Sequence, residues 1–246
     1  MDTSLDSRRI ASDWPVFLGG QLPPALADAV AAFEAADAVA EPSAAINVTA
    51  VTGDTAAQAV ADAVDAAARA EVFHAAKSKV VDLLGRRVLG EAIAALPEAF
   101  ARMSPDLDAA VKELATAIDD LPDEITDAAI VAAGPGTLAA YQRALAAQKT
   151  LNMLDGFVSS IPGGYAHSAA QLHVLRLLTP TSRAGYGGLL DVAVTRGKRP
   201  ALNPLWLFAV KNNIAFELNS PARQREIADE INSIPIVRKP LKFAKV

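Results

Sequence analysis

The stretch "SPDLDAAVKELATAIDDL", residues 104–121, sets Leu107, Val111, Leu114, Ile118 and Leu121 at intervals of four, three, four and three. That spacing keeps one apolar line on one side of an α-helix. In a heptad frame Val111 and Ile118 take position a, and Leu107, Leu114 and Leu121 take d, the choice that suits paired helices. The flanks hold Ala110, Ala115 and Ala117 rather than partner-selecting charges, so the stripe is wide and admits close neighbours. Three readings follow: a helix of the chain's own bundle, an oligomer seam between copies, or a dock for a foreign helix.

The rest of the chain supports helices. Alanine, the best intrinsic helix former, occurs 53 times in 246 residues, against 13 aromatic residues. Buried area must therefore come from closely approaching helices more than from bulky side chains. Arginine outnumbers lysine 14 to 9, and with this much alanine the usage points to a GC-rich genome such as that of an actinobacterium or its phage. The absence of cysteine removes disulfide frameworks, thiolate zinc sites, iron–sulfur clusters and thiol nucleophiles together. The longest apolar runs, such as "PLWLFAV" at 204–210, fall short of the roughly 20 residues a membrane span needs. Arg8-Arg9 precede a short apolar piece in the manner of an export signal, but Asp13, Pro15, Gln21, Pro23 and Pro24 interrupt it. A cytoplasmic or virion location is expected.

Charge divides unevenly. Residues 1–160 hold 11 Lys+Arg against 23 Asp+Glu, a balance of −12, and residues 161–246 hold 12 against 5, a balance of +7. We therefore expect three regions: an extended N-terminal arm at 1–23, an acidic Ala-rich helical region at 24–162, and a basic mixed α/β module at 163–246. In the arm, Pro15, Gly19, Gly20, Pro23 and Pro24 break any period, leaving Trp14 and Phe17 as docking residues. Helices are expected near 25–40, from Asp54 or Thr55 to about Val88 with Gly85 and Gly90 weakening its end, over 90–103, over 104–121 with Ser104 as N-cap and Pro105 in the first turn, and on either side of Gly134. After residue 163, Ser168 and Gln171 match a capping box before "LHVLRLL". "SRAGYGG" reads as a loop and "LLDVAVT" and "IAFEL" as strands. Asn203-Pro204 and Ser220-Pro221 read as caps with first-turn prolines. The fold class is mainly α, an Ala-rich bundle followed by a small mixed α/β module.

Motifs for chemistry are weak. His74 sits beside Phe73 in an alanine-rich helix and reads as a surface or helix-packing residue more than a ligand, and His167 and His173 are six apart. The acids Asp119, Asp120, Asp123, Glu124 and Asp127 straddle a helix junction and lack the alternation and turn glycine of a calcium loop. "GPGT" at 134–137 has no preceding strand and no P-loop lysine, and reads as a helix stop followed by a new start. "AGYGG" at 184–188 beside Arg183 reads as a connection more than an anion cradle. Asp191 lacks a partner base. We therefore expect no metal, no cofactor and no catalytic residue.

The basic residues are the better lead. Arg196, Lys198 and Arg199 cluster in one turn, and Arg238, Lys239, Lys242 and Lys245 interleave with Leu241 and Phe243. Cations beside exposed apolar groups suit an acidic protein surface, or a phosphate backbone as the alternative. Pro240 would place this tail at a sheet edge, where charge and proline guard against aggregation, or on another protein's surface. An acidic helical body with a basic end and docking extremities resembles, in plan, phage scaffolding and other virion-assembly proteins. The resemblance implies a non-enzymatic oligomer that binds itself and other protein subunits; a nucleic-acid-associated factor using the basic module and an enzyme of unrecognised type are the alternatives.

Overall fold

The computed structural model describes residues 3–40, 52–122, 125–162, 171–194 and 201–235. The chain is mainly α-helical with one small antiparallel sheet: α1 (Thr3–Phe17), α2 (Pro24–Asp37), α3 (Ala56–Asp119), α4 (Asp127–Ala133), α5 (Pro135–Ser160), β1 (Leu178–Thr179), α6 (Arg183–Val194), α7 (Pro204–Lys211), β2 (Ala215–Phe216) and α8 (Pro221–Ser233). It forms two compact units, residues 1–95 and 96–246, that divide within α3. The shift in charge and composition near residue 162 falls inside the second unit.

In the first unit the expected arm is a helix. Ile10, Trp14 and Leu18 recur every fourth residue and are buried, and Leu26, Ala29, Val30 and Phe33 of α2 are buried with them. Pro15 removes one N–H near the end of α1, a cost outweighed by burial of this face. The chain then turns through Gly19 and Gly20, both at positive φ (72° and 90°), where a side chain is disfavoured. Pro24 opens α2 at its first turn. Gly85, expected to weaken the helix, instead lets α1 approach α3. A Cβ there would lie 3.1 Å from Ser7 Oγ and 3.4 Å from the Thr3 carbonyl. The fully buried Ser7 hydroxyl sits 2.6 Å from the Thr3 carbonyl and 3.1 Å from that of Gly85, so it is satisfied.

The expected breaks in α3 near residues 90 and 104 are absent, and the helix continues through Pro97 and Pro105. Ser104 is therefore not an N-cap. Each proline removes one backbone donor, yet Ala99, Met103, Leu107, Ala110, Leu114, Ala117 and Ile118 form an uninterrupted buried face. Burial on both sides of a proline holds the helix where local propensity alone would end it.

In the second unit α5 runs antiparallel beside α3. The Phe100 and Phe157 rings are 6.3 Å apart, while Arg143 pairs with Glu113 at 3.3 Å and Asp120 at 3.0 Å. Along α5, Ala140, Ala144, Ala147, Leu151, Leu154, Phe157 and Val158 are buried, so small side chains dominate one half of its inner face. Thr126 caps α4, accepting from the Ala129 amide at 3.2 Å, and Gly134 at φ 96° ends it just before Pro135 starts α5. Asn203 and Ser220 cap α7 and α8 as expected, accepting from the amides of Leu205 (3.0 Å) and Arg223 (3.2 Å).

Three expectations in this unit fail. "LHVLRLL" makes only a single 3-10 turn, Leu172–Leu175, before β1. Both the "SRAGYGG" loop and the "LLDVAVT" strand belong largely to α6, which buries Tyr186 and Leu189. Of these glycines Gly188 has a packing role: a Cβ there would meet Phe208 Cζ at 2.3 Å, so its lack of a side chain lets α6 close onto α7. The "IAFEL" strand is present as β2, which pairs Leu178 with Phe216 and Thr179 with Ala215.

Candidate interaction surfaces

The expected seam is covered within the chain. Leu107, Leu114 and Ile118 are buried, and Val111 and Leu121 are half-buried. The apolar line at 104–121 therefore packs in the bundle of the second unit, and little of it is exposed to a second copy. Trp14, expected to dock on a partner, is fully buried in the first unit, and Phe17 is half-buried. Arg196, Lys198, Arg199, Arg238, Lys239, Leu241, Lys242, Phe243 and Lys245 lie outside the described residues, as do His167 and the capping-box Ser168.

Exposed apolar surface occurs instead at the start of α3. None of residues 56–80 is buried, and the first buried position is Val81. Val60, Val64 and Val72 are 64%, 63% and 70% exposed. Gln58, Asp62, Asp65 and Arg69 recur at intervals of four, three and four, so they share one polar face. There Gln58 donates to Asp62 at 2.8 Å, and Arg69 lies 4.0 Å from Asp65. Over residues 56–70 the remaining positions are all alanine or valine, whereas Glu71, His74, Lys77, Ser78 and Lys79 follow. Periodicity located this helix, but not that its apolar side would be left open.

The polar groups beside these helices serve the fold. In the first unit a cavity of about 530 Å³ contains Arg8, Asp37, His74, Lys77 and Asp82. Arg8 donates from Nε (3.2 Å) and Nη2 (3.0 Å) to the Asp37 carboxylate, and Thr3 donates to Asp82 at 3.0 Å. Lys77 Nζ donates to the carbonyls of Asp37 and Val39, both at 2.7 Å, which ties the end of α2 to α3. Among the described residues no group of three His, Asp or Glu is placed to hold a metal ion. Arg183 spends its guanidinium on the carbonyls of Asn232 and Ile234. Asp191 lies on an exposed position of α6 and not at a strand end.

Two polar arrangements, one buried and one half-buried, were not anticipated. Asn219 donates to the Leu175 carbonyl at 2.9 Å and to Thr179 Oγ1 at 3.1 Å, and its own carbonyl accepts from Gln224 at 2.8 Å. It thereby ties the 3-10 turn, β1 and α8 together. Only its place beside the Ser220-Pro221 cap hinted at this, since nothing in the sequence marks a buried asparagine. Asp155 of α5 accepts from Arg176 at 3.2 Å.

Burial raises the Asp155 pKa above its ordinary 3.8, partly offset by Arg176 and more weakly by His173. The folded protein thus holds this proton more tightly than the unfolded chain. The associated stability is fully present in acid and is lost as pH rises through the raised value. Asp155→Asn, which keeps an acceptor oxygen for Arg176, is expected to gain on the parent protein as pH climbs from below 3.8 to neutrality. Urea midpoints across that range measure the difference, and an offset constant with pH would contradict the assignment.

No protein-family model, no curated protein and no solved structure matches the chain.

Proposed function

We propose that the protein is a non-enzymatic assembly protein that associates with copies of itself and with other subunits, as the phage scaffolding proteins it resembles in plan do. The carrying observation is the open apolar side of α3 over residues 56–70, with Val60 and Val64 more than three-fifths exposed. A helix apolar around most of its circumference is normally buried in a core, and the cost of leaving it wet is removed by association. Burying a valine side chain contributes about 1.5 kcal/mol, so a few such positions on each copy yield a useful interface. Two features support the reading further. The alanines permit close helix approach, and the basic residues Arg196, Lys198, Arg199, Arg238, Lys239, Lys242 and Lys245 suit an acidic neighbouring surface.

Val60→Glu with Val64→Glu tests it. Both positions are exposed, so folding is expected to change by no more than about 0.5 kcal/mol while association is lost. Sedimentation velocity on parent and variant measures association, and far-UV circular dichroism checks the fold. Equal sedimentation of the two proteins would count against this surface. The alternative, a nucleic-acid-associated factor, rests on the same basic residues and requires binding that weakens steeply with salt.

A further inference from the structure

We infer that two copies of the chain pair antiparallel through residues 57–67 of α3, about a twofold axis at the level of Asp62. The inference rests on the assembly reading and names the occupant of the open side of α3, which is the same segment of a second copy.

The segment is complementary to itself. Ala57, Val60, Val64 and Ala67 recur at intervals of three, four and three, so they form one line along the helix. All four are exposed, Val60 and Val64 by 64% and 63%. The line reads Ala, Val, Val, Ala from either end, with Asp62 at its midpoint. A twofold contact sets each position against its mirror, so Val60 meets Val64 of the other copy and Ala57 meets its Ala67. Ala56, Ala61, Ala63 and Ala68 flank the line and leave the two helices room to approach. Gln58, Asp62, Asp65 and Arg69 lie on the opposite face, so pairing buries no charge.

Direction follows from what lies further along α3. The same three-four line passes Glu71, His74 and Ser78 and arrives at Val81, Gly85, Val88 and Ala92, which are buried in the first unit. There α1 and α2 are tied to α3: Lys77 to the carbonyls of Asp37 and Val39, Thr3 to Asp82, and Ser7 to the Gly85 carbonyl. In a parallel pair these helices of both copies would crowd one level near the side where the two α3 helices meet, and Glu71 would face Glu71. An antiparallel pair avoids both. Lys77 lies 15 residues past Asp62, about 22 Å, whereas α3 starts only 6 residues before it, about 9 Å. Each copy's α1 and α2 therefore sit beyond the end of the other copy's helix, and the two Glu71 carboxylates stand about 27 Å apart along the axis. The contact is small, under about 1,000 Å², so the pair is reversible and depends on concentration.

The chain has no cysteine, so single substitutions report the register. In the antiparallel pair residue 57 of one copy shares a layer with residue 67 of the other, while the two residues 57 stand about 15 Å apart, out of disulfide reach. Full chains carrying Ala57→Cys or Ala67→Cys, both exposed positions, are expected to stay unlinked alone under mild oxidation and to give a disulfide-linked dimer when mixed. Adding Val60→Glu and Val64→Glu to both is expected to abolish that product. The mass of the parent chain in static light scattering is expected to level off at twice 25.6 kDa. Linked dimer from either cysteine variant alone, at the level of the mixture, would overturn the inference in favour of a parallel pair. An unlinked mixture, or a parent mass beyond two chains, overturns it as well. These three results leave the assembly reading standing as long as the parent associates, whereas a parent that stays monomeric removes both.

Discussion

Trp14→Ala is expected to lower the stability of the first unit by about 3–5 kcal/mol, the usual cost of truncating a large buried aromatic side chain. Trp14 is fully buried, and Ile10, Leu26 and Phe33, none more than 1% exposed, form the core of the same unit. The second tryptophan, Trp206, belongs to the other unit and donates from Nε1 to Asn152 at 3.0 Å. In the variant Trp206 is the sole tryptophan, and its fluorescence follows the second unit while circular dichroism follows both. An early transition by circular dichroism with an unchanged one by fluorescence is the predicted pattern. Were Trp14 a docking residue on a free arm, the variant would keep its stability and lose only association.

The second large effect concerns Leu114, 1% exposed at the centre of the line quoted first. Leu114→Ala is expected to cost the second unit about 2–5 kcal/mol, the lost transfer energy plus the cavity left behind. Trp206 fluorescence against urea reads it directly. The result should not depend on protein concentration, because the side chain is covered within one chain. A loss that shrinks at high concentration would return Leu107, Val111, Leu114, Ile118 and Leu121 to the role of an oligomer seam.

These predictions separate what local sequence shows from what it does not. Caps are local events, and Asn203-Pro204, Ser220-Pro221 and the Gly134 stop could be read from a few residues each. The apolar face of 104–121 was equally plain, but not what lies on it, because periodicity describes one helix and never its neighbour. Prolines and glycines misled for the opposite reason. Pro15, Pro97 and Pro105 lie within helices because buried faces on either side outweigh one missing donor. Gly85 and Gly188, read as weak or flexible points, are places where a neighbouring side chain takes the space of a Cβ. In α6 the β-branched run after Gly188 read as a strand, yet burial of Tyr186 and Leu189, three residues apart, fits a helix. The exposed side of α3 was hidden in the same way, since alanine fits both a packed and an open face.

Static light scattering across micromolar concentrations tests the central proposal most directly. Association through α3 predicts a mass above the 25.6 kDa of one chain, rising with concentration. A constant 25.6 kDa at every concentration would contradict it.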